Sequence, residues 1–462
     1  MPQLSAVVNG ILGPAQPDTV VRPGGTISIC AAAFILVLIG SPLRAQDPAS
    51  VEAAGQPEAP QVHENSKAKD AKSKRTWGFR WDDHPSLYFG KSTRIDLRAR
   101  IQTHVLDSDA PIGDPSTFDV ARRRVGVEGR IAGDLDFQIE HEIGDDDPWK
   151  DVYADYRRFT SIRVQAGKFK LPFSLEENTG ATNLDFVYRS RAATELAPGR
   201  DRGAMVHGRV VNVIQYELGL FDHDGRNART NNPDRVSGDR TLAGRLGVQP
   251  FRGTKTLLRD LHVAIALTDS HVPEGIAALR GRTVLDASFF PAYLWVQGDR
   301  RRAGVEARWR PGPFSVSSEY IRVSSERLGQ SVENSDLSPL IASGWYFSGT
   351  WLATGELKSA GADKPRHPLL RGGFGAVELA GRVEALSFRS AARGGAPSTS
   401  PRSDVVLGND DRATTVGLNW YPYRGIKIQG NFVRESISDP SRGPLPSKPA
   451  FWSRVLRFQF TI

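Results

Sequence analysis

Cysteine occurs once and methionine twice in 462 residues, which leaves no disulfide framework and no cysteine metal site to build. The single thiol, Cys30, lies inside the one long apolar run, residues 27–40 (ISICAAAFILVLIG), and not just after it, which argues against lipid attachment there. That run is 14 residues long, too short for a membrane-spanning helix, which takes about 20. Catalytic patterns are scarce as well. His141 and Glu142 begin a zinc-helix pattern, but no second histidine follows at the needed spacing. The stretch FDHDGRN, with Asp222, Asp224 and Asn227 around Gly225, lacks the closing acidic ligand of a calcium loop. No Gly-x-Ser-x-Gly elbow and no phosphate-cradling loop occurs. The formal charge of +8 suits an anionic partner but is mild for this length, and no helix-turn-helix, zinc-finger or aromatic RNA-platform pattern accompanies it. These absences argue against an enzyme, a metal or cofactor site, and a nucleic-acid partner.

What is present points to export. After the apolar run, residues 41–45 (SPLRA) read as a signal-peptidase site with cleavage after Ala45, so residues 1–45 are expected to be a signal peptide. Residues 46–76 are rich in Ala, Pro, Glu, Lys and Gln without an apolar period, and a flexible periplasmic leader is expected over 46–90. Residues 91–462 then form the folded part.

From Trp77 onward the chain breaks into alternating segments of about ten residues, the pattern of barrel strands in an outer membrane. Ile95, Leu97, Ala99, Ile101, Thr103 and Val105 fall on one face, with Asp96, Arg98, Arg100, Gln102 and His104 on the other. The last segment repeats this, with Leu456, Phe458 and Phe460 against Val455, Arg457 and Gln459. About sixteen candidate strands run from 95–105 and 119–131 to 425–436 and 452–462. A soluble sandwich alternates too, but the connectors here come in two tiers, short and long in turn, as an up-and-down barrel requires. The exception is 354–373, which falls on the short-turn side yet is long. Aromatic residues cluster near strand ends, as Trp149 with Tyr153, Trp420 with Tyr421 and Tyr423, and Phe451 with Trp452, where interfacial girdles sit in such barrels.

One connector is too long and too apolar to be an ordinary turn. Between the strands around residue 165 and residue 206 lies a stretch with Pro172, Gly180, Pro198 and Gly199, which cannot be strand. It carries Phe169, Leu171, Phe173, Leu184, Phe186, Tyr188 and Leu196, enough apolar surface to pack inward, along with Lys168, Lys170, Arg189, Arg191, Arg200 and Arg202. A loop over 169–202 that narrows a channel is the expectation. On the first strands the polar faces place Arg98 and Arg100 beside Arg122 and Arg124, a row that implies water or anions between like charges. The competing reading pairs those arginines with the acidic row Asp136, Glu140 and Glu142 as a structural network.

Residues 165–203 (QAGKFKLPFSLEENTGATNLDFVYRSRAATELAPGRDRG) resemble the third-loop region of the phosphate-selective porin family of Gram-negative outer membranes. Supporting pieces are ARRRVGVEGRIAGDLDFQIEHE (121–142), LGLFDHDGRN (218–227) and RRAGVEARWRPGPFSVSSEYI (301–321), so the resemblance covers nearly all of 95–462. It implies an all-β, 16-stranded antiparallel transmembrane barrel, trimeric, with an inward-folded third loop and an anion path lined by arginine and lysine. By motif the arginine ladder falls on Arg122–Arg124, with Arg98 and Arg100 beside it by register, and the loop lysines are Lys168 and Lys170. The implied activity is passive passage of small anions, phosphate or polyphosphate first, across the outer membrane, with no cofactor. The acidic row 136–142 and the terminal Ile462, where such barrels often end in Phe, depart from the pattern. A general porin and a structural or adhesive barrel remain alternatives.

Overall fold

The computed structural model describes residues 77–81, 84–110, 118–230, 240–290, 293–358, 364–392 and 394–462. The expected signal peptide, residues 1–45, and the leader up to residue 76 lie outside the described residues. The strands are β1 (Trp77–Trp81), β2 (Pro85–Phe89), β3 (Thr93–Ser108), β4 (Phe118–Ile131), β5 (Leu135–Glu142), β6 (Trp149–Tyr156), β7 (Arg163–Lys170), β8 (Arg200–Val210) and β9 (Ile214–Phe221). They continue as β10 (Thr241–Val248), β11 (His262–Ile276), β12 (Trp295–Trp309), β13 (Phe314–Arg327), β14 (Leu337–Leu352), β15 (Ala376–Ser390), β16 (Asn409–Tyr423), β17 (Ile426–Ile437) and β18 (Ala450–Thr461).

Each strand from β3 to β18 pairs antiparallel with the next, and β18 closes on β3 with Ser453 opposite Ser108 and Thr461 opposite Arg100. The result is a closed barrel of 16 strands. Closure leaves no open edge in the wall, which a lipid-embedded sheet requires because an unpaired backbone group in hydrocarbon costs several kcal/mol. Within the stretch expected as a flexible leader, Trp77–Trp81 and Pro85–Phe89 are instead strands: β1 pairs antiparallel with β2, and β2 pairs with residues 93–96 of β3, below the point where β18 ends.

Period-2 alternation sorts the side chains. On β12, Arg300, Arg302 and Glu306 are buried while Arg301, Ala303 and Val305 are exposed. The exposed set elsewhere is apolar: Ile101, Leu218, Leu242, Ile265, Leu267, Phe347 and Val383 form the lipid-facing surface. Stacked aromatic pairs mark its margins, Phe314 on Trp351 and Phe374 on Trp420 at one end and Phe432 on Trp452 at the other. Of the clustered aromatics named from sequence, Trp149 faces outward, while Tyr421 and Phe451 are buried and Tyr153 turns inward to Gln138. Leu267, near the middle of β11 and 59% exposed, gives a direct check. Leu267→Arg is expected to destabilise the folded barrel by about 2–4 kcal/mol, read as a lower urea midpoint for folding into lipid vesicles, while Arg301→Leu should not.

Residues 171–199, between β7 and β8, pack against side chains on the wall's inner register. Phe173, Ala192 and Leu196 join Ile321, Val323, Ala342 and Leu386 in one apolar cluster. Gly304 and Gly344 leave room for it, since a Cβ there would press on Phe173 and Ala192. Two short helices, α1 (Leu175–Asn178) and α2 (Arg191–Leu196), start at Ser174 and Ser190, whose hydroxyls accept from the amides of Glu177 and Ala193. The long connector after β14 does not shift the strand pairing, as Leu352 still faces Glu378. It holds a 3₁₀ turn at Leu369–Arg371, and Lys358 from it reaches Asp185 at 2.6 Å.

Candidate functional site: the cationic wall and the loop facing it

The seam where β18, β3 and β4 meet gathers positive charge. Gln102 on β3 stands opposite Gln459 on β18 and Arg122 on β4. Its amide donates to Gln459 Oε1 at 2.6 Å, and its Oε1 accepts from Arg122 Nη1 at 2.7 Å. One register step away, Arg457 lies opposite His104 and donates to its Nε2 at 2.8 Å. Among the described residues neither Arg122 nor Arg457 has a carboxylate within salt-bridge distance. The largest charge effects on Arg122 come from the cations Arg457, Arg189, Arg124 and Arg100.

The neighbouring arginines are balanced. Arg124 donates to Glu140 Oε2 at 2.8 Å and also pairs with Glu142. Arg100 lies 3.7 Å from Glu140, and Arg98 pairs with Glu128 at 2.6 Å and touches His84. The arginines of the row therefore differ: Arg98 and Arg124 belong to a structural network with acids, and Arg122, among the described residues, does not.

The loop supplies further cations. Lys170 sits 3.6 Å from the Glu177 carboxylate and Arg189 3.3 Å from it, with Arg189 also bonded to the carbonyl of Glu176 at 3.0 Å. Burial opposes ionisation of Glu177, yet Lys170, Arg189, Arg200 and Arg122 outweigh it and hold this carboxyl below its usual range. Arg200 is held by Asp151 at 2.7 and 3.0 Å.

Three expected lining residues lie elsewhere. Arg202 points outward, its side chain 69% exposed beside Asp222, and Lys168, its partner in register, shares that face and binds Asp147 at 2.6 Å. The phase of β7 explains this, since Gln165 and Phe169 are buried and Lys168 falls between them. Arg191 is 4% exposed, tied to Glu195 at 2.6 Å, and sits away from the seam in the field of Asp411 and Glu435. Those acids and Glu384, on β15–β17, put carboxyl groups on the stretch of wall that leads to β18, with Glu384 paired to Arg382, and the sequence reading missed them. It also missed Arg457, although the alternation of the last strand put that residue on the polar face with Gln459.

The rest of the loop is fastened to the wall. Arg382 on β15 donates to Glu176 at 3.2 Å, to the Tyr188 carbonyl at 3.1 Å and to Glu384 at 2.9 Å. Asn431 accepts from the Val187 amide at 2.7 Å, Asn419 donates to the Asp185 carbonyl at 2.8 Å, and Gln429 to the Leu184 carbonyl at 3.2 Å.

A closed 16-stranded barrel with an apolar exterior, a polar interior and a long loop against its inner wall defines an outer-membrane channel protein. Residues 94–271 and 278–462 match the model of the family described as phosphate-selective porin O and P, and the chain belongs to that family. No curated protein matches it. Among solved structures it is similar to the loop L8 deletion mutant of OmpT, an outer membrane protein of Vibrio cholerae, at 10% identity and TM-score 0.51, covering 80% of this chain and 100% of that one. It is also similar to an anion-selective porin from Comamonas acidovorans, at 11% identity and TM-score 0.50 over 80% and 100% of the two chains. The in-vitro folded, trimer form of the Vibrio OmpT matches at 10% identity and TM-score 0.50, again over 80% and 100%. At such identities these likenesses speak for the fold.

Proposed function

We propose that this outer-membrane porin passes small anions, phosphate or polyphosphate foremost, along the seam of Arg122 and Arg457 past the loop cations Lys170 and Arg189. The observation that carries this reading is the pair of inward arginines on one seam that, among the described residues, have no carboxylate within salt-bridge distance and bond instead to Gln102 and His104. Arg100, Arg124 and Arg200 add to the field, and their acids keep any one site from binding too tightly for passage. At an effective dielectric of about 20 one charge pair at 4 Å is worth about 4 kcal/mol, and about 1 kcal/mol in water. Several screened contacts therefore attract an anion without trapping it. A trimer, as in the Vibrio neighbour, and export through residues 1–45 complete the proposal.

Planar-bilayer recording of the purified full chain tests it. In a KCl gradient the zero-current potential should take the sign of chloride permeation, and added phosphate should reduce chloride conductance. Cation preference, or conductance indifferent to phosphate, would leave a general porin; no conductance at all would favour the structural barrel.

A further inference from the structure

The outer face of β15–β18 carries two features that passage through the lumen does not use. One is a groove of about 670 Å³ across the barrel's exterior, walled by Leu379, Val416, Leu418, Phe432 and Leu456. It is deep there because Gly430 occupies an outward position with no side chain, and a Cβ at that site would meet nothing within 4 Å. The other is charge. Arg389, Arg412, Arg434 and Arg454 are exposed on four consecutive strands, towards the ends opposite the short turns. Arg389 is 3.9 Å from Asp410 and Arg454 is 3.5 Å from Asp107. Among the described residues Arg412 and Arg434 have no carboxylate within salt-bridge distance.

The two features are in line. Arg434 is one outward position above Phe432 and Arg412 two above Val416, roughly 7 and 13 Å along the strands. Trp452 stacks on Phe432 with ring centroids 6.3 Å apart, and the Arg454 guanidinium lies over Trp452 at 4.3 Å; Phe432, Arg454 and Asp107 all line the groove, so the apolar groove runs directly into the charged row. Arginine facing lipid costs about 2–4 kcal/mol at mid-membrane and about 0–1 near the interface, which places this row at headgroup height. A guanidinium without a carboxylate there fits a phosphate in its two-pronged mode. We propose that this face binds a phosphorylated, acylated lipid of the outer leaflet, with its phosphate on Arg412 and Arg434 and one acyl chain in the groove over Gly430. A free phosphate would have no use for the groove.

The test uses the detergent-purified full chain and three probes: diphosphorylated lipid A, its dephosphorylated form and inorganic phosphate, read by native mass spectrometry with titration. Wild type should retain lipid A. The double variant Arg412→Ser, Arg434→Ser should bind it at least tenfold more weakly. Gly430→Leu, which fills the groove from open space without a clash, should do the same, and conductance should be unchanged in both variants. Equal retention of dephosphorylated lipid, full competition by inorganic phosphate, or unaltered lipid A binding in both variants would overturn the proposal. So would loss of oligomer in Gly430→Leu with lipid A still bound, which would assign the face to a second copy of the chain.

Discussion

Arg122→Ala is expected to lower the anion-over-cation permeability ratio about fivefold, taking the screened, aqueous end of the range, about 1 kcal/mol for one charge at contact distance. The reason is local accounting of charge: Gln102, the hydrogen-bond partner of Arg122, is neutral, so deletion removes a positive charge without breaking an ion pair among the described residues. Arg124→Ala is a different experiment, because it frees Glu140 and Glu142 as well. It should depress the ratio further, and restoring it should require Glu140→Gln in the same chain. Zero-current potentials in a tenfold KCl gradient measure all three variants, and an Arg122→Ala channel with the wild-type potential would remove the seam from the permeation path. Arg202→Ala, on the outer face, serves as the control without effect.

The second large effect is expected at Arg382. This buried side chain holds the loop to the wall through Glu176 and the Tyr188 carbonyl while neutralising Glu384. Arg382→Met keeps the volume but leaves two buried carboxylates without their cation, a loss of about 3–5 kcal/mol. The heat needed to convert the folded band to the unfolded one on a gel should fall, and single-channel traces should become noisy as residues 176–190 lose their anchor. Burial already pushes the Glu176 carboxyl up, so Glu176→Gln should be far milder than Arg382→Met. Similar losses in both would mean that Arg382 acts on the fold and not on the loop.

The strand pattern was legible in sequence because alternation is local: each candidate strand, from 95–105 to 452–462, has its counterpart in the barrel. The inward phase of Arg98, Arg100, Arg122 and Arg124 followed from the same period. Which of them lacks an acid did not, since Glu140 reaches Arg124 and Arg100 across two strands, a matter of register. Arg457 joins the seam only when the last strand closes on the first, a contact between residues more than 350 positions apart. Lys168 and Arg202 were assigned by the composition of the stretch and not by phase, and phase turns them outward. The pairing of β1 with β2 was hidden because five-residue strands between a charged leader and the first long strand carry little periodicity.

Lys358 connects two parts of the chain that alternation treats as unrelated. Rising from the connector on the short-turn side, it grips Asp185 of the inner loop at 2.6 Å and also pairs with Glu378, while the loop's two roots leave β7 and β8 at the opposite opening. A segment fixed at both mouths of the barrel cannot swing as a flap. In the channel we propose, its outline is a rigid aperture, and the size of what passes is set by which side chains line it.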